Sequence, residues 1–258
     1  WKKDGVDLAG ETNATLNITD ANATLHDGNY SVVVSNDFGS VESDLTEVLV
    51  KDSILNGLVG WWKFDEGSGT VAYDSSENGN EVNLTNGPTW ISGKIGGALS
   101  FDGVDDFGRV DVNKSFNPTA FSVCCWVFIE NANDGMILNK GMDNALNFRF
   151  YIDTSNNYVF DTFNPRLLQN SIGKVDTLQW VHFTLIVDNL NQNFYKNGLL
   201  GQQGTRSSIV FKDSTLLQLG SKLSLSSSSF CKFQIDDLRI YDRALSAEEV
   251  QALYNMGQ

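Results

Sequence analysis

Residues 235–246 read Ile235-Asp236-Asp237-Leu238-Arg239-Ile240-Tyr241-Asp242-Arg243-Ala244-Leu245-Ser246, and Ala247-Glu248-Glu249-Val250-Gln251-Ala252-Leu253-Tyr254-Asn255 follow at once. The first part alternates apolar and polar residues, as a half-buried strand does, and carries two adjacent acids at its start. Ser246 with Glu249 makes a capping box, which predicts one short helix beginning there. The stretch therefore reads as the last strand of a β-sandwich running into a capped C-terminal helix.

Upstream of it, strand-like runs separated by turn residues recur from Leu58 onward. They cover residues 60–64, 97–101, 121–129, 147–152, 158–163, 180–188, 192–196, 216–219 and 233–241. Nine such runs with essentially one helix predict an all-β, two-sheet antiparallel sandwich. Asn197-Gly198 after Phe194-Tyr195-Lys196 is the sharpest local signal, because a type I′ hairpin turn needs two residues tolerant of positive φ.

Residues 1–50 follow a different pattern. Leu16-Asn17-Ile18, residues 27–36 and Gly39-Ser40-Val41-Glu42-Ser43 read as short strands between Gly, Asn and Asp turns. The segment resembles the later strands of an immunoglobulin-like domain, in which D-x-G-x-Y-x-C precedes a V-x-N-x-x-G hairpin. His26 stands in place of the Asp and Val32 in place of the Cys, so the resemblance implies no intersheet disulfide. Trp1-Lys2-Lys3-Asp4-Gly5 resembles the mid-domain strand with the core Trp, which makes this an incomplete immunoglobulin-like domain. A half sandwich does not bury both inner faces, so poor packing, partial disorder or support from a neighbour is expected here. Residues 51–57 read as a linker and 58–258 as the sandwich.

The chain has 258 residues, and 32 acids against 18 bases give a net charge of -14. Lys and Arg form no patch, so neither nucleic acid nor anionic lipid is an expected partner. No run of 18 apolar residues is present, so no membrane-spanning helix is expected. A start at Trp1 suggests a mature segment or a piece of a longer chain. Cys124, Cys125 and Cys231 are too few and too irregular for a disulfide framework. At most one of the adjacent pair can face Cys231, and all three are expected to be buried small hydrophobes.

Residues 58–256 resemble the laminin-G-like (concanavalin A-like lectin/glucanase) jelly-roll domains. The elements that carry the resemblance occur in family order: Gly60-Trp61-Trp62-Lys63-Phe64-Asp65-Glu66-Gly67, Asp74-Ser75-Ser76-Glu77-Asn78-Gly79-Asn80, Gly96-Gly97-Ala98-Leu99-Ser100-Phe101-Asp102-Gly103, Phe121-Ser122-Val123-Cys124-Cys125-Trp126, Trp180-Val181-His182, Tyr195-Lys196-Asn197-Gly198, and the segment from Ile235. Glu77 departs from the family, which has Gly there, and Cys124 and Cys125 replace small residues before Trp126.

The resemblance implies a structural calcium ion tying the first strand region to the Asp that opens the last strand. Here that Asp is Asp236, with Asp65 and Asp102 as companions and Gly60 or Gly103 as carbonyl donors. Hard cations take six to eight oxygens from carboxylates and carbonyls, which Asp-Gly loops offer. The alternative is that these acids cap turns. Asp74 to Thr85 begins like an EF-hand loop but ends on Thr with no flanking helices.

Jelly rolls of this superfamily include glycosidases with an E-x-D-x-x-E strand, and Glu42-Ser43-Asp44-Leu45-Thr46-Glu47 matches formally. It lies outside the jelly roll, on an edge with no cleft for two opposed carboxyls. His182 matches the family's W-x-H pattern as a core residue, and no histidine cluster for zinc or nucleophile elbow is present. Sugar recognition needs aromatic faces and hydroxyl-binding groups. Asp143, Asn144, Arg149, Tyr151, Tyr158 and Arg166 cluster in the middle strands and loops as candidates, against the reading that strand aromatics such as Phe160 and Phe163 are core. The resulting expectation is a non-catalytic, calcium-bearing recognition module of an extracellular or cell-surface protein, of bacterial type, that binds a polysaccharide or surface glycan or serves adhesion. Other domains of a longer parent chain are its expected neighbours. The rivals are an architectural spacer and a glycoside hydrolase.

Overall fold

The computed structural model describes residues 1–18, 21, 26–48, 53–111, 120–141, 148–162, 168–188, 191–205, 216–221 and 230–258. The chain divides into two compact units, Trp1–Asn56 and Gly57–Gln258.

The first unit contains β1 (Lys2–Lys3), β2 (Val6–Asp7), β3 (Gly28–Ser31), β4 (Val33–Asn36), β5 (Gly39–Glu42) and β6 (Thr46–Val48). Four of them form a sheet in the order β2-β1-β3-β6, and β4 pairs with β5 as a separate hairpin. Residues 16–18, expected as a strand, run without one. Their single apolar pair, Leu16 and Ile18, is too little to fix a pairing register. Trp1 is half-buried, and its Nε1 donates to the Asn13 carbonyl at 2.9 Å. Both faces of the β4–β5 hairpin are exposed, Val34, Phe38 and Val41 included.

The second unit is a two-sheet antiparallel jelly-roll sandwich. Its strands are β7 (Leu58–Trp62), β8 (Val71–Ala72), β9 (Val82–Thr85), β10 (Thr89–Ser92), β11 (Gly97–Asp102), β12 (Phe107–Asp111), β13 (Ala120–Phe128) and β14 (Gly135–Lys140). They continue with β15 (Phe148–Ile152), β16 (Asn157–Thr162), β17 (Leu168–Lys174), β18 (Trp180–Asp188), β19 (Asn191–Lys196), β20 (Leu199–Thr205), β21 (Leu216–Leu219) and β22 (Lys232–Tyr241). One sheet runs β10-β11-β22-β13-β18-β19-β20, with β7 also on β22, and the other runs β17-β16-β15-β14-β21-β12-β9-β8. One apolar core lies between them, with Val123, Val127, Leu185 and Ile235 from the first sheet facing Phe148, Phe160, Leu217 and Leu219 from the second.

Strict alternation decides what lies outside that core. On β13, Phe121, Val123, Cys125 and Val127 point inward, so Ser122, Cys124 and Trp126 point away. The helix α1 (Ala247–Asn255) covers this outer face, with Tyr254 stacked on Trp126 at 5.7 Å between ring centroids. Its capping box is complete, Ser246 Oγ accepting from Glu249 N–H and Glu249 Oε2 accepting from Ser246 N–H. Asn197 and Gly198 adopt φ of 52° and 75°, as the hairpin turn requires. The three cysteines are buried free thiols, and burial pushes Cys124 and Cys231 up to about 12.

Candidate functional site

β22 changes neighbours part-way along. Its first residues pair with β11, as Ile235 with Leu99, and its last with β7, as Leu238 with Trp62. At the changeover the pairing with β13 jumps from Cys124–Arg239 to Trp126–Asp236, which leaves an extra residue in β22. Asp237 absorbs that bulge with φ of 47°. A bulge re-aims side chains, and here it sends two adjacent acids to different places.

Asp237 stays on the outer face. Its Oδ1 accepts from Trp61 Nε1 at 2.6 Å and from Arg239 Nε at 3.2 Å, while Arg239 stacks over the Trp61 ring at 4.2 Å. Asp236 is fully buried against the β10–β11 turn, where its Oδ2 accepts from Ile95 N–H at 2.7 Å. Burial pushes its carboxyl up to about 7 despite hydrogen bonding from the backbone of Ile95, Lys94 and Asp237, and its Oδ1 has no close hydrogen-bond partner among the described residues.

Asp65 reaches the same turn from the other side, accepting from Gly97 N–H at 2.6 Å. The preceding Phe64 holds φ of 59°, a strained backbone for a bulky residue. Gly93, Gly96 and Gly97 are needed because the acids come so close. A Cβ on Gly93 would lie 2.3 Å from the Gly97 carbonyl and 2.6 Å from Asp236 Oδ2, and one on Gly96 would lie 2.3 Å from Asp65 Oδ1. A Cβ on Gly97 would meet the Phe64 carbonyl at 2.4 Å. Carboxylate and carbonyl oxygens thus converge on one glycine turn, with a buried carboxylate oxygen left over. That donor set fits a hard cation.

The other residues expected at that site lie elsewhere. Asp102 ends β11, and Gly97 begins it. Five residues of strand put them roughly 17 Å apart, far beyond the 2.3–2.6 Å reach of calcium ligands. Asp102 instead groups with Asp105 and Asp106, their oxygens within 4.8 Å of one another. Hydrogen bonds from Val104 N–H to Asp102 Oδ1 and from Asp102 N–H to Asp106 Oδ2 organise that loop as a turn. Gly103, at φ of 78°, is there because a Cβ would strike Lys232 N at 2.7 Å. Gly60 pairs with Ile240 in mid-β7 and makes room for the Trp62 ring. Asp74 accepts from the backbone of Trp61, Ser76 and Asn80 and so holds its loop.

Among the expected sugar-binding residues, Arg149 and Tyr151 share the outer face of the second sheet, since Phe148, Phe150 and Ile152 between and around them are core. Arg149 Nη2 donates to Asp161 Oδ2 at 2.6 Å and its guanidinium lies 5.2 Å from the Tyr151 ring centroid. Asp161, missed by sequence reasoning, is fully buried, which raises its carboxyl above the usual range. Tyr158 points the other way, into the core, where its ring packs edge-on against Phe183 at 4.6 Å; it cannot meet a ligand. Asp143, Asn144, Phe163 and Arg166 lie outside the described residues. A polar depression on the first sheet is lined by Asp188, Asn191, Asn193, Gln203, Gly204 and Thr205 and has no ring in its lining.

This architecture has relatives. The family described as the concanavalin A-like lectin/glucanases superfamily, of laminin-G type, matches residues 102–251. The chain belongs to that family. Domain 4 of AbnA, an extracellular GH43 arabinanase from Geobacillus stearothermophilus solved with arabinotriose, superimposes with a TM-score of 0.63 at 24% identity, over 78% of this chain and 98% of that one. The binding domain of botulinum neurotoxin serotype D gives 0.63 at 17% identity, over 79% of this chain and 53% of that one. Trypanosoma rangeli sialidase gives 0.60 at 16% identity, over 77% and 32%. The chain spans about half the length of the neurotoxin-domain structures it resembles. At these identities the likeness is one of fold. No curated protein matches by sequence.

Proposed function

We propose that the jelly roll is a non-catalytic glycan-recognition module of an extracellular or cell-surface protein, held by a structural calcium ion. The observation that carries the recognition reading is the Arg149–Asp161–Tyr151 cluster on the outer face of the second sheet. Arg149 and Tyr151 are part-exposed and offer a planar cation and a phenol, groups that bind vicinal hydroxyls and pack on a pyranose or furanose ring, while the buried Asp161 carboxylate holds the guanidinium in place. The arabinotriose complex of AbnA domain 4 supports the same reading.

Catalysis is not part of it. The E-x-D-x-x-E match belongs to the first unit, where Glu42 is tied to Ser31 Oγ at 2.6 Å and Lys2 Nζ at 3.1 Å. Asp161 faces Arg149, where a retaining glycosidase would need a second carboxyl about 5 Å away.

Asp65 and Asp236 would hold the calcium, with the carbonyls of Phe64 and Gly97 beside them. The ion would neutralise the buried Asp236 and fasten the end of β7 to the β10–β11 turn. A glycan array read with calcium and with chelator tests both parts. Binding of at least one glycan is expected. Silence across the array would leave the spacer reading in its place.

A further inference from the structure

Four asparagines in this chain precede a glycine: Asn56, Asn78, Asn86 and Asn197. Asparagine is among the heat-labile residues. A following glycine makes it more so, because with no Cβ in the way the next backbone nitrogen can reach the asparagine Cγ. As the N–Cγ bond closes into a cyclic imide, the nitrogen gives its proton to hydroxide. The Cγ–Nδ2 bond then breaks, and the amide leaves as ammonia with a proton from water. Water opens the imide at either carbonyl, leaving aspartate or isoaspartate, and is the only co-reactant.

The fold holds three of the four dipeptides in place. Gly198 is buried, a Cβ on it would lie 2.9 Å from Gln251 Oε1, and Asn197 Oδ1 accepts from His182 N–H at 2.9 Å. The Gly57 backbone is enclosed by Asp242 and Arg243, which a Cβ would meet at 2.5 Å and 3.1 Å. Gly79 has open space around it, but Asn78 is half-buried. Its Nδ2, the group that must leave, donates to the Leu58 carbonyl at 2.9 Å and to Ser76 Oγ at 3.0 Å. Asn86 differs on both counts. It and Gly87 are exposed in the turn between β9 and β10, and nothing lies within 4 Å of a Cβ on Gly87. Among the described residues its side chain makes one exposed hydrogen bond, from Nδ2 to the Asp105 carbonyl at 2.9 Å.

We infer that Asn86 is the site of spontaneous deamidation in the folded chain, and that its conversion unfastens the β9–β10 turn from the loop between β11 and β12. Each net hydrogen bond that must be given up slows the attack about fivefold, and Asn86 gives up fewer than Asn78. The product carboxylate cannot donate to the Asp105 carbonyl. It also brings a further negative charge towards Asp102, Asp105 and Asp106, whose oxygens already lie within 4.8 Å of one another.

The test incubates the full chain in mildly alkaline buffer, both native and in guanidinium chloride. Digestion under acid conditions and tandem mass spectrometry then localise the mass gain of an amide becoming an acid. In the native chain Asn86 is expected to convert at least about fivefold faster than Asn56, Asn78 or Asn197, with isoaspartate among its products. In denaturant the four rates should come together. Conversion of any of the other three as fast as Asn86 in the native chain, or the same ranking in denaturant, overturns the assignment. Asn86→Asp, which reproduces one product, should unfold about 2–4 °C below wild type. An unchanged midpoint would overturn the coupling to the Asp105 loop.

Discussion

Glu77 occupies a loop position whose backbone takes φ of 66°, and its side chain is exposed. A glycine is the family's residue there, and the left-handed conformation explains why, since a Cβ costs about 1 kcal/mol in it. Glu77→Gly is therefore expected to raise the unfolding midpoint by about 2 °C, after the glycine's extra unfolded-state freedom is subtracted. A drop on calorimetry would contradict that account. His182 is a second residue with a measurable consequence. Burial beneath α1, with Arg239 nearby, pulls its pKa down to about 3 from the usual 6.5. The folded state thus keeps it neutral, and the stability this confers is whole above pH 6.5 and is lost as pH falls towards 3. At pH 5 the loss comes to about 2 kcal/mol, or about 4–8 °C. In His182→Gln the fall in midpoint between pH 7 and pH 5 should be shallower by that amount, and an unchanged slope would place the proton elsewhere.

At the scale of elements, β22 is the organising strand, because the bulge at Asp236 and Asp237 lies where its neighbour changes from β11 to β7. Saturating calcium at about a hundred times its dissociation constant would stabilise the domain by about 2.7 kcal/mol, raising the midpoint by about 5–10 °C over chelator. Asp236→Asn should abolish that response. In chelator at pH 8 it should be at least as stable as wild type, because a neutral amide replaces a buried charge. Asp102→Asn, at the far end of β11, should keep the response. The reverse pattern would move the ion to the Asp102–Asp105–Asp106 loop.

These elements also show how far the sequence could be read. Strands with clean alternation or flanking turns, such as β18, β21 and β22, stand within a residue of their predicted limits. β14 escaped because it is buried at all six positions and so has no period of two, and β20 because its Leu-Leu-Gly-Gln-Gln-Gly-Thr run is mostly exposed and polar. Asp65 and Asp236 stand out in the sequence because acids beside glycine turns are conspicuous, and the structure brings both to the turn between β10 and β11. Asp102 looked equivalent, and only the length of β11 separates it from them. Tyr158 was misplaced because periodicity gives two faces without saying which is inward. Asp161 escapes a reading of the sequence, since only the β15–β16 register sets it opposite Arg149.

For the whole molecule, the jelly roll presents two different outer faces. One lies under α1, where Trp126 Nε1, His182 Nδ1 and Thr184 Oγ1 are buried without hydrogen-bond partners among the described residues on two adjacent strands. Such a layer suits ordered water, which satisfies polar groups of this kind. The other carries the part-exposed Arg149 and Tyr151, and it is the face assigned to ligand. The central claim, that this face binds a neutral glycan without cleaving it, is tested most directly by incubating the full chain with a panel of insoluble neutral polysaccharides. Bound protein and soluble reducing ends are then followed over time. The account predicts retention on at least one polysaccharide with no rise in reducing ends. Retention on none, or a steady release of reducing ends from a polymer that binds, would contradict it.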